Sequence, residues 1–374
     1  MTRIYTIRDE LDTISSGMTD ALLNRLAPMS KLSDNGRRFR SMSVLEMARE
    51  MLQVCAVNVR GMDRMTLAAT ALSYRAFGGS GSADFPAILS NVANKRLRMS
   101  YEENPGTYTL WARRAPDALD FKTLSSVQIS GTPELLRVAE HGEFKYGNMS
   151  DGAENYSLLT YGRIIQLTRQ ALVNDDLRAF DVAIAGFGAA AKRLENRLVY
   201  AQLTANSNLS DGMPLFATGH NNLAAGGDSA LQASSLAAAR TAMRLQKGWQ
   251  SEELNISPEF LIVPAYLEQT AYQLTSANYV PAKQQDTNEF RSGGRTAITP
   301  VVEPILDSIS STAWYAAAGS RQVDTVEYCY LDGADGPMVE SQLGFNTDGM
   351  SVKCRLDFAA KAIDFRGLYK AAGV

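Results

Sequence analysis

The stretch that most constrains the fold is Asp175–Thr204, DDLRAFDVAIAGFGAAAKRLENRLVYAQLT. Leu177, Phe180, Ile184, Phe187, Ala191, Leu194 and Leu198 recur at steps of three and four, which places them on one face of a single long helix. Asn174, Asp175 and Asp176 supply cap oxygens and negative charge where free N–H groups point outward. Lys192, Arg193 and Arg197 fall toward the other end, where cations are favoured. About 30 residues at 1.5 Å each make a rod of roughly 45 Å, long for a helix inside a compact domain. Gly186 and Gly188 weaken that rod, so a close neighbour against the backbone is expected there. A coiled coil is the alternative, but the pattern lasts barely four heptads and lacks regular flanking charges.

The helix sits in a chain of 374 residues, enough for a real core and for two or more subdomains. With 45% apolar and 21% charged residues, the composition is that of a globular protein. A formal net charge of -3 argues against a dedicated nucleic-acid binder. No apolar run is long enough to span a bilayer, so no membrane is expected as a partner. The first residues, MTRIYTIRDELD, lack the apolar core of a secretory signal. Cys55, Cys329 and Cys354 are far apart and form no CxxC pair, so they read as free thiols made in a reducing interior.

The first 74 residues read as short amphipathic helices that need a partner surface. Met18, Leu22 and Leu26 make one stripe. Ser43 and Glu46 form a capping box opening a helix with Leu45, Ala48, Leu52 and Cys55 on its face. Asp63 opens a third, carrying Leu67 and Leu72. Arg37, Arg38 and Arg40 read as a solvated basic loop rather than an anion site. Gly78–Ser82, GGSGS, is a flexible joint. Beyond it Asp84 and Pro86 begin a helix with Ile88, Leu89, Val92 and Leu97 inward, ended by Asn104-Pro105-Gly106.

From Phe121 the period changes to that of strands. Val127–Ser130 and Gly142–Gly147 are strand candidates, and Asn155–Thr168 is expected as one longer strand. Few residues between Phe121 and Ser157 can build a core, so this excursion is a hairpin whose edges another chain or domain must meet. After the long helix comes an α/β region. Phe260–Pro264 is a buried strand stopped by proline, followed by a helix with Leu267, Ala271 and Leu274. Ile298–Leu306 and Trp314–Ala318 are further strands, and Gln284–Gly294 is a surface loop. The end is β-rich. Thr325–Leu331 is a strand and Asp332–Pro337 a turn. Val352, Cys354, Leu356, Phe358 and Ala360 alternate with Lys353, Arg355, Asp357 and Lys361, and Asp364–Tyr369 continues that strand.

Nothing in these residues raises an enzyme above background. The two histidines, His141 and His220, have no metal-ligand neighbours at close spacing. His220, in ATGHNN, reads as a loop histidine held by local hydrogen bonds rather than a lone base. There is no GxSxG elbow, Walker loop or GxGxxG after a strand. No catalytic, cofactor-binding or metal residue is assigned.

The order of parts resembles the major capsid proteins of tailed bacteriophages with the HK97-type fold, close to the capsid family often fused behind a prohead protease. The residues that carry the resemblance are Phe85–Leu89 (FPAIL), Trp111–Arg114 (WARR), Phe121–Thr123 (FKT), Gly142–Gly147 (GEFKYG) and Thr168–Leu177 (TRQALVNDDL). They continue through Arg193–Asn196 (RLEN), Phe216, His220–Leu223 (HNNL), Val323–Tyr328 (VDTVEY) and Arg355–Lys370 (RLDFAAKAIDFRGLYK). The match runs from about Asp84 onward.

The resemblance implies an α+β fold with a helical N-terminal arm at 1–120, jointed near 78–82, and an E-loop hairpin at 121–157. It implies a peripheral domain at 158–204 and 320–362, with the long helix as its spine, and an axial domain at 205–319 and 363–374. Glu143, Phe144, Lys145 and Tyr146 would be E-loop contacts to a neighbouring subunit. Leu177, Phe180, Ile184, Phe187, Leu194 and Leu198 would pack the spine. Some members of the wider fold join an E-loop lysine to a neighbour's asparagine. Lys145 and Asn346 stand where such a pair would be sought, but an ordinary exposed lysine is the preferred reading. The chain is too short to contain the protease, so that enzyme is expected to be separate or removed. The implied function is a structural one: hexamers and pentamers close an icosahedral shell around double-stranded DNA, with no cofactor. The implied partners are further copies of the chain, a portal, scaffolding or decoration proteins, and packaged DNA contacted without sequence preference. An encapsulin-like compartment and a cytosolic α+β enzyme with an unreadable site are the alternatives.

Overall fold

A computed structural model of the chain describes residues 7–28, 32–74, 85–127, 153–168, 170, 174, 177–224, 226–248, 251–276, 297–343 and 349–374. The fold is α+β, in two compact units. The expectations for Asp84, GGSGS at 78–82, Gly142–Gly147 and Gln284–Gly294, and the cap oxygens of Asp175 and Asp176, fall outside the described residues.

The first unit takes Met1–Pro105, Thr160–Arg193 and Gly333–Asp357. Its helices are α1 (Ile7–Leu26), α2 (Asp34–Arg37), α3 (Val44–Val54), α4 (Arg64–Ser73) and α5 (Phe85–Glu103). The capping box is present: Glu46 N–H donates to Ser43 Oγ at 3.3 Å, and Ser43 N–H donates to Glu46 Oε2 at 2.7 Å. Asp63 caps α4 by accepting from Met65 N–H at 3.1 Å and Thr66 N–H at 3.2 Å. The inward face of α3 differs from the expected one. Val44, Met47, Ala48, Met51 and Leu52 are buried, whereas Leu45 and Cys55 are half-buried. Met47 and Met51 carry more apolar surface than Cys55, so rotating the helix toward them removes more of it from water. Arg37 pairs with Asp34 at 3.3 Å and Arg38 with Glu50; both arginines are exposed, as expected, but Arg37 ends the helix α2 rather than lying in a loop.

One core joins these helices to a sheet. Met18, Leu22, Leu67, Ile88, Val92 and Leu97 meet Val339 of β10 (Met338–Leu343) and Met350, Val352 and Cys354 of β11 (Gly349–Ala362). β10 runs antiparallel to β11 with Val339 opposite Cys354. β4 (Leu159–Thr168) also pairs with β11. Gly162 lets the two backbones close up: a Cβ there would lie 2.9 Å from the Cys354 carbonyl oxygen.

The second unit takes Gly106–Leu159, Leu194–Asp332 and Phe358–Val374. Its main sheet has the order β5 (Leu223–Ala224), β12 (Leu368–Ala371), β8 (Trp314–Ala318), β6 (Pro258–Val263), β7 (Thr299–Val302). β6 and β7 are parallel, and β8 is antiparallel to both β6 and β12. Helices α7 (Ala233–Arg244) and α8 (Glu268–Thr275) join its core through Leu236, Ala239, Met243 and Ala271, against Leu261, Val263, Trp314 and Ala316. In the same unit β9 (Val326–Tyr330) pairs with the last residues of β11 and, in parallel, with β1 (Arg113–Arg114). A separate two-stranded ribbon is made of β2 (Leu124–Val127) and β3 (Ala153–Tyr156).

Four expectations need correction. Asn155–Thr168 is not one strand: β3 ends at Tyr156 and β4 begins at Leu159, because β3 pairs with β2 while β4 pairs with β11. Leu158, at the break, is buried with Ala115, Ala118 and Cys329. The strand expected over Ile298–Leu306 stops at Val302. There the Glu303 carboxylate accepts from Ile305 N–H at 3.2 Å and Pro304 starts a short 3-10 turn. The alternation along β11 ends at Leu356: Asp357 is buried, accepting from Thr160 Oγ1 at 2.5 Å, and Ala360 is half-buried. Finally, Asp364–Tyr369 does not prolong β11. Asp364 turns the chain by accepting from Arg366 N–H at 2.9 Å and the Arg366 guanidinium at 3.0 Å, and β12 then enters the main sheet of the second unit.

Candidate assembly surfaces

The long helix, α6 (Leu177–Ala205), has 29 residues. Phe180 and Ile184 are buried in the core of the first unit and Phe187 is half-buried against it. Leu194 and Leu198 are half-buried, and the fully buried positions of the later turns are Glu195, Val199, Tyr200 and Leu203. Leu177 begins the helix, and its side chain lies outside the described residues. The inward stripe thus runs through Phe180, Ile184, Gly188, Ala191, Glu195, Val199 and Leu203, with a single step of three among steps of four where the sequence pattern alternates the two, and it takes in a polar group, Glu195.

Gly188 marks a close crossing with α5. A Cβ on it would lie 2.8 Å from the Leu97 carbonyl oxygen, 2.9 Å from Tyr101 N and 3.0 Å from Ser100 Cβ. The crossing is held by Ser100 Oγ, which donates to the Ala185 carbonyl at 2.8 Å, and by the Arg96–Asp181 pair at 2.7 Å. Lys192 sits 4.0 Å from the centre of the Tyr101 ring and donates to its hydroxyl at 2.9 Å. A Cβ on Gly186, two residues earlier, would meet nothing within 4 Å among the described residues.

In the second unit the later turns of α6 are held by polar side chains of the segment after α5. Tyr108 donates to Glu195 Oε2 at 2.7 Å and lies 3.3 Å from the Tyr330 hydroxyl. Burial, reinforced by the Glu195 charge, raises the Tyr108 hydroxyl far above its ordinary value. Trp111 Nε1 donates to the Tyr200 hydroxyl at 3.1 Å. Asn196 Nδ2 donates to Glu303 Oε2 at 2.6 Å, and Thr107 donates to the same carboxylate. Glu303 therefore ties three segments together, and each buried carboxylate here has a donor, as low-dielectric surroundings demand.

The base of the hairpin is anchored as well. Glu154, on β3, accepts from Ser210 N–H at 2.5 Å and pairs with Lys361 at 3.6 Å. Leu124 and Tyr156 pack against Ala115, Ala118 and Cys329. Next to this base in the chain are exposed large apolar residues: Leu119 is 84% exposed, Phe121 51% and Leu159 57%. Glu143, Phe144, Lys145 and Tyr146, and the pair Lys145 and Asn346, lie outside the described residues.

His220 is a buttress, as its loop context suggested. It is buried, with Nε2 2.7 Å from Asp211 Oδ2 and Nδ1 3.3 Å from the Leu215 carbonyl. Its ring stacks on Phe365 at 3.6 Å between centroids and 5° between planes. His141 lies outside the described residues. Burial pushes the thiols of Cys329 and Cys354 up to about 11, making them poor nucleophiles at neutral pH. Among the described residues no three His, Cys, Asp or Glu side chains gather as a metal site. No described helix is long and apolar enough to cross a membrane.

No curated protein matches the chain. Among solved structures, one from Mycobacterium phage Adephagia is similar at 12% identity, covering 72% of this chain and 90% of that one, with a TM-score of 0.46. The procapsid of bacteriophage JBD30 is similar at 13% identity over 77% of this chain and 75% of that one, with a TM-score of 0.41. A virus-like particle from Pyrococcus furiosus is similar at 11% identity over 75% and 97%, with a TM-score of 0.42. The family model described as phage capsid protein matches residues 152–371, which is more than half of the length. The chain belongs to the phage capsid protein family and is a structural major capsid protein of the virion shell.

Proposed function

We propose that this chain builds an icosahedral head of the HK97 type from pentamers and hexamers, through repeated contacts between identical copies. The observation that carries the reading is the capsid-family match from β3 to β12. In this layout residues 1–120 are a helical arm and 121–157 an E-loop that crosses a neighbour. Residues 158–204 and 320–362 form the peripheral domain, with α6 as its spine. Residues 205–319 and 363–374 form the axial domain around the symmetry axes. The two-stranded ribbon supports it, since such a ribbon is marginal alone and gains stability when another copy covers it. The exposed side chains of Leu119, Phe121 and Leu159 at its base give that copy an apolar surface to bury.

The role is mechanical rather than catalytic. The shell forms in the bacterial host cytoplasm, around a portal and with the help of scaffolding or decoration proteins, and encloses double-stranded DNA held without sequence preference. Subunits are held without Lys145–Asn346 cross-links, so boiled particles run as monomers on denaturing gels. A ladder of multimers would assign the cross-link instead.

The test is a double variant, L119S/F121S. Both side chains are exposed, so folding is retained, and the shell yield falls at least tenfold by sedimentation. Shells formed at wild-type yield would remove the hairpin base from the interface.

A further inference from the structure

The exposed face of α6 is charged in one sense only. From Arg178 to Arg197 its exposed residues are Arg178, Val182, Gly186, Ala190, Arg193 and Arg197. Every exposed charge on the helix is therefore an arginine, although the whole chain carries a net charge of -3. The two acids of α6 are turned away: Asp181 pairs with Arg96 at 2.7 Å and Glu195 is buried under Tyr108. None of the three arginines forms an ion pair among the described residues. Between Arg178 and Arg193 the exposed residues are Val182, Gly186 and Ala190, none of them charged or longer than valine.

We infer that this face of α6 binds the phosphate backbone of double-stranded DNA. The inference rests on the shell reading and names the surface that meets the packaged genome. The argument is charge complementarity. Arg178 and Arg193 are about 22 Å apart along the helix axis, and Arg197 follows about 6 Å on, at 1.5 Å per residue. Duplex DNA presents one negative charge per ~1.7 Å of axis, so a row of this length meets phosphates at every position without needing a sequence. Arginine's planar fork grips phosphate oxygens in pairs, and the small exposed side chains between Arg178 and Arg193 add no negative charge to oppose a polyanion. Contacts of this kind position a polyanion and carry no base readout.

The experiment uses the full-length, unassembled protein and a fluorescent 20-base-pair duplex of mixed sequence, read by anisotropy from 20 to 150 mM salt. The wild type binds at low salt, and its affinity falls steeply as salt rises. R178Q/R193Q/R197Q lowers the log–log salt slope by up to about 2.7, at about 0.9 for each phosphate no longer neutralised. R98Q, which removes an exposed arginine paired with Glu102 on α5, leaves the slope unchanged. No binding by the wild type at 20 mM salt, or an unchanged slope in the triple variant, overturns the inference. So does competition by poly-glutamate equal to that of DNA at matched charge, which would make the face a site for an acidic protein. A fall of several degrees in the triple variant's melting temperature also overturns it, because the arginines would then be structural. Shell formation scored on the same preparations keeps the two claims apart. Wild-type protein that never assembles refutes the shell reading, whereas a triple variant that binds DNA normally but no longer assembles reassigns this face to a contact between copies.

Discussion

Two glycines two positions apart in α6 should respond differently to the same methyl group. At Gly188 a Cβ would meet the Leu97 carbonyl oxygen at 2.8 Å and Tyr101 N at 2.9 Å. These are backbone atoms of α5, held by Ser100–Ala185 and Arg96–Asp181, so no side chain can swing aside. Forcing atoms into a packed contact costs about 1–3 kcal/mol. Replacing a helical glycine by alanine returns about 1 kcal/mol. G188A therefore ranges from neutral to about 2 kcal/mol less stable. At Gly186 a Cβ meets nothing within 4 Å, and only the helix gain of ~0.5–1 kcal/mol remains. The pair should differ by roughly 1–3 kcal/mol, which is several degrees in melting temperature. Thermal unfolding of the dilute, unassembled protein reads this directly, G186A melting above the wild type and G188A below G186A. If G188A melts at or above G186A, α5 does not cross at Gly188, and the account of why glycine stands there fails.

Other outcomes follow from the buried polar groups. Y108F keeps the ring but removes the donor to Glu195, leaving a buried carboxylate short of a partner, and should lower stability by about 1–3 kcal/mol in urea unfolding. In native protein at pH 8 a disulfide-exchange reagent should modify the half-buried Cys55 first, with Cys329 and Cys354 reacting only on unfolding; rapid reaction of all three would contradict their burial. Those two thiols are pushed up from about 9 to about 11, so between these values the unfolded chain loses protons that the native one keeps, and stability should fall as pH rises through that window. Glu340 is held below its ordinary value near 4.5 by its hydrogen bond to Lys353 and the charges of Lys353 and Arg355. Its contribution is present above that pH and lost as pH falls further, and E340Q should remove this part of the acid slope in a pH series of unfolding curves.

Local chemistry was the legible part of the fold. Ser43 with Glu46, Asp63 before α4, and Pro264 after β6 each act within a few residues, so their patterns carried through unchanged. Gly188 was readable as a close approach, but Gly186 looks the same in sequence and has open space where its Cβ would stand, among the described residues. What could not be read depends on distant partners. The break at Leu158 follows from β3 and β4 joining different strands, and Asp364–Gly367 turns because β12 has a place beside β8. β10, as Met338–Leu343, was hidden by Glu340, Ser341 and Gln342, which weaken its strand signal. α7 was missed in an alanine-rich run, although Leu236, Ala239 and Met243 at steps of three and four mark its buried side. On the assembly surfaces, the drift of the α6 stripe to Glu195 needs Tyr108, which lies 87 residues away. The all-arginine outer face depends on the same inward turn of the two acids.

The central claim is that this chain closes into a shell from copies of itself. The most direct measurement is sedimentation velocity with negative-stain electron microscopy on the purified protein, expressed alone and with neighbouring genes. The account predicts closed particles, or free pentamers and hexamers that close when conditions allow. A clean monomer or dimer under every condition would contradict it.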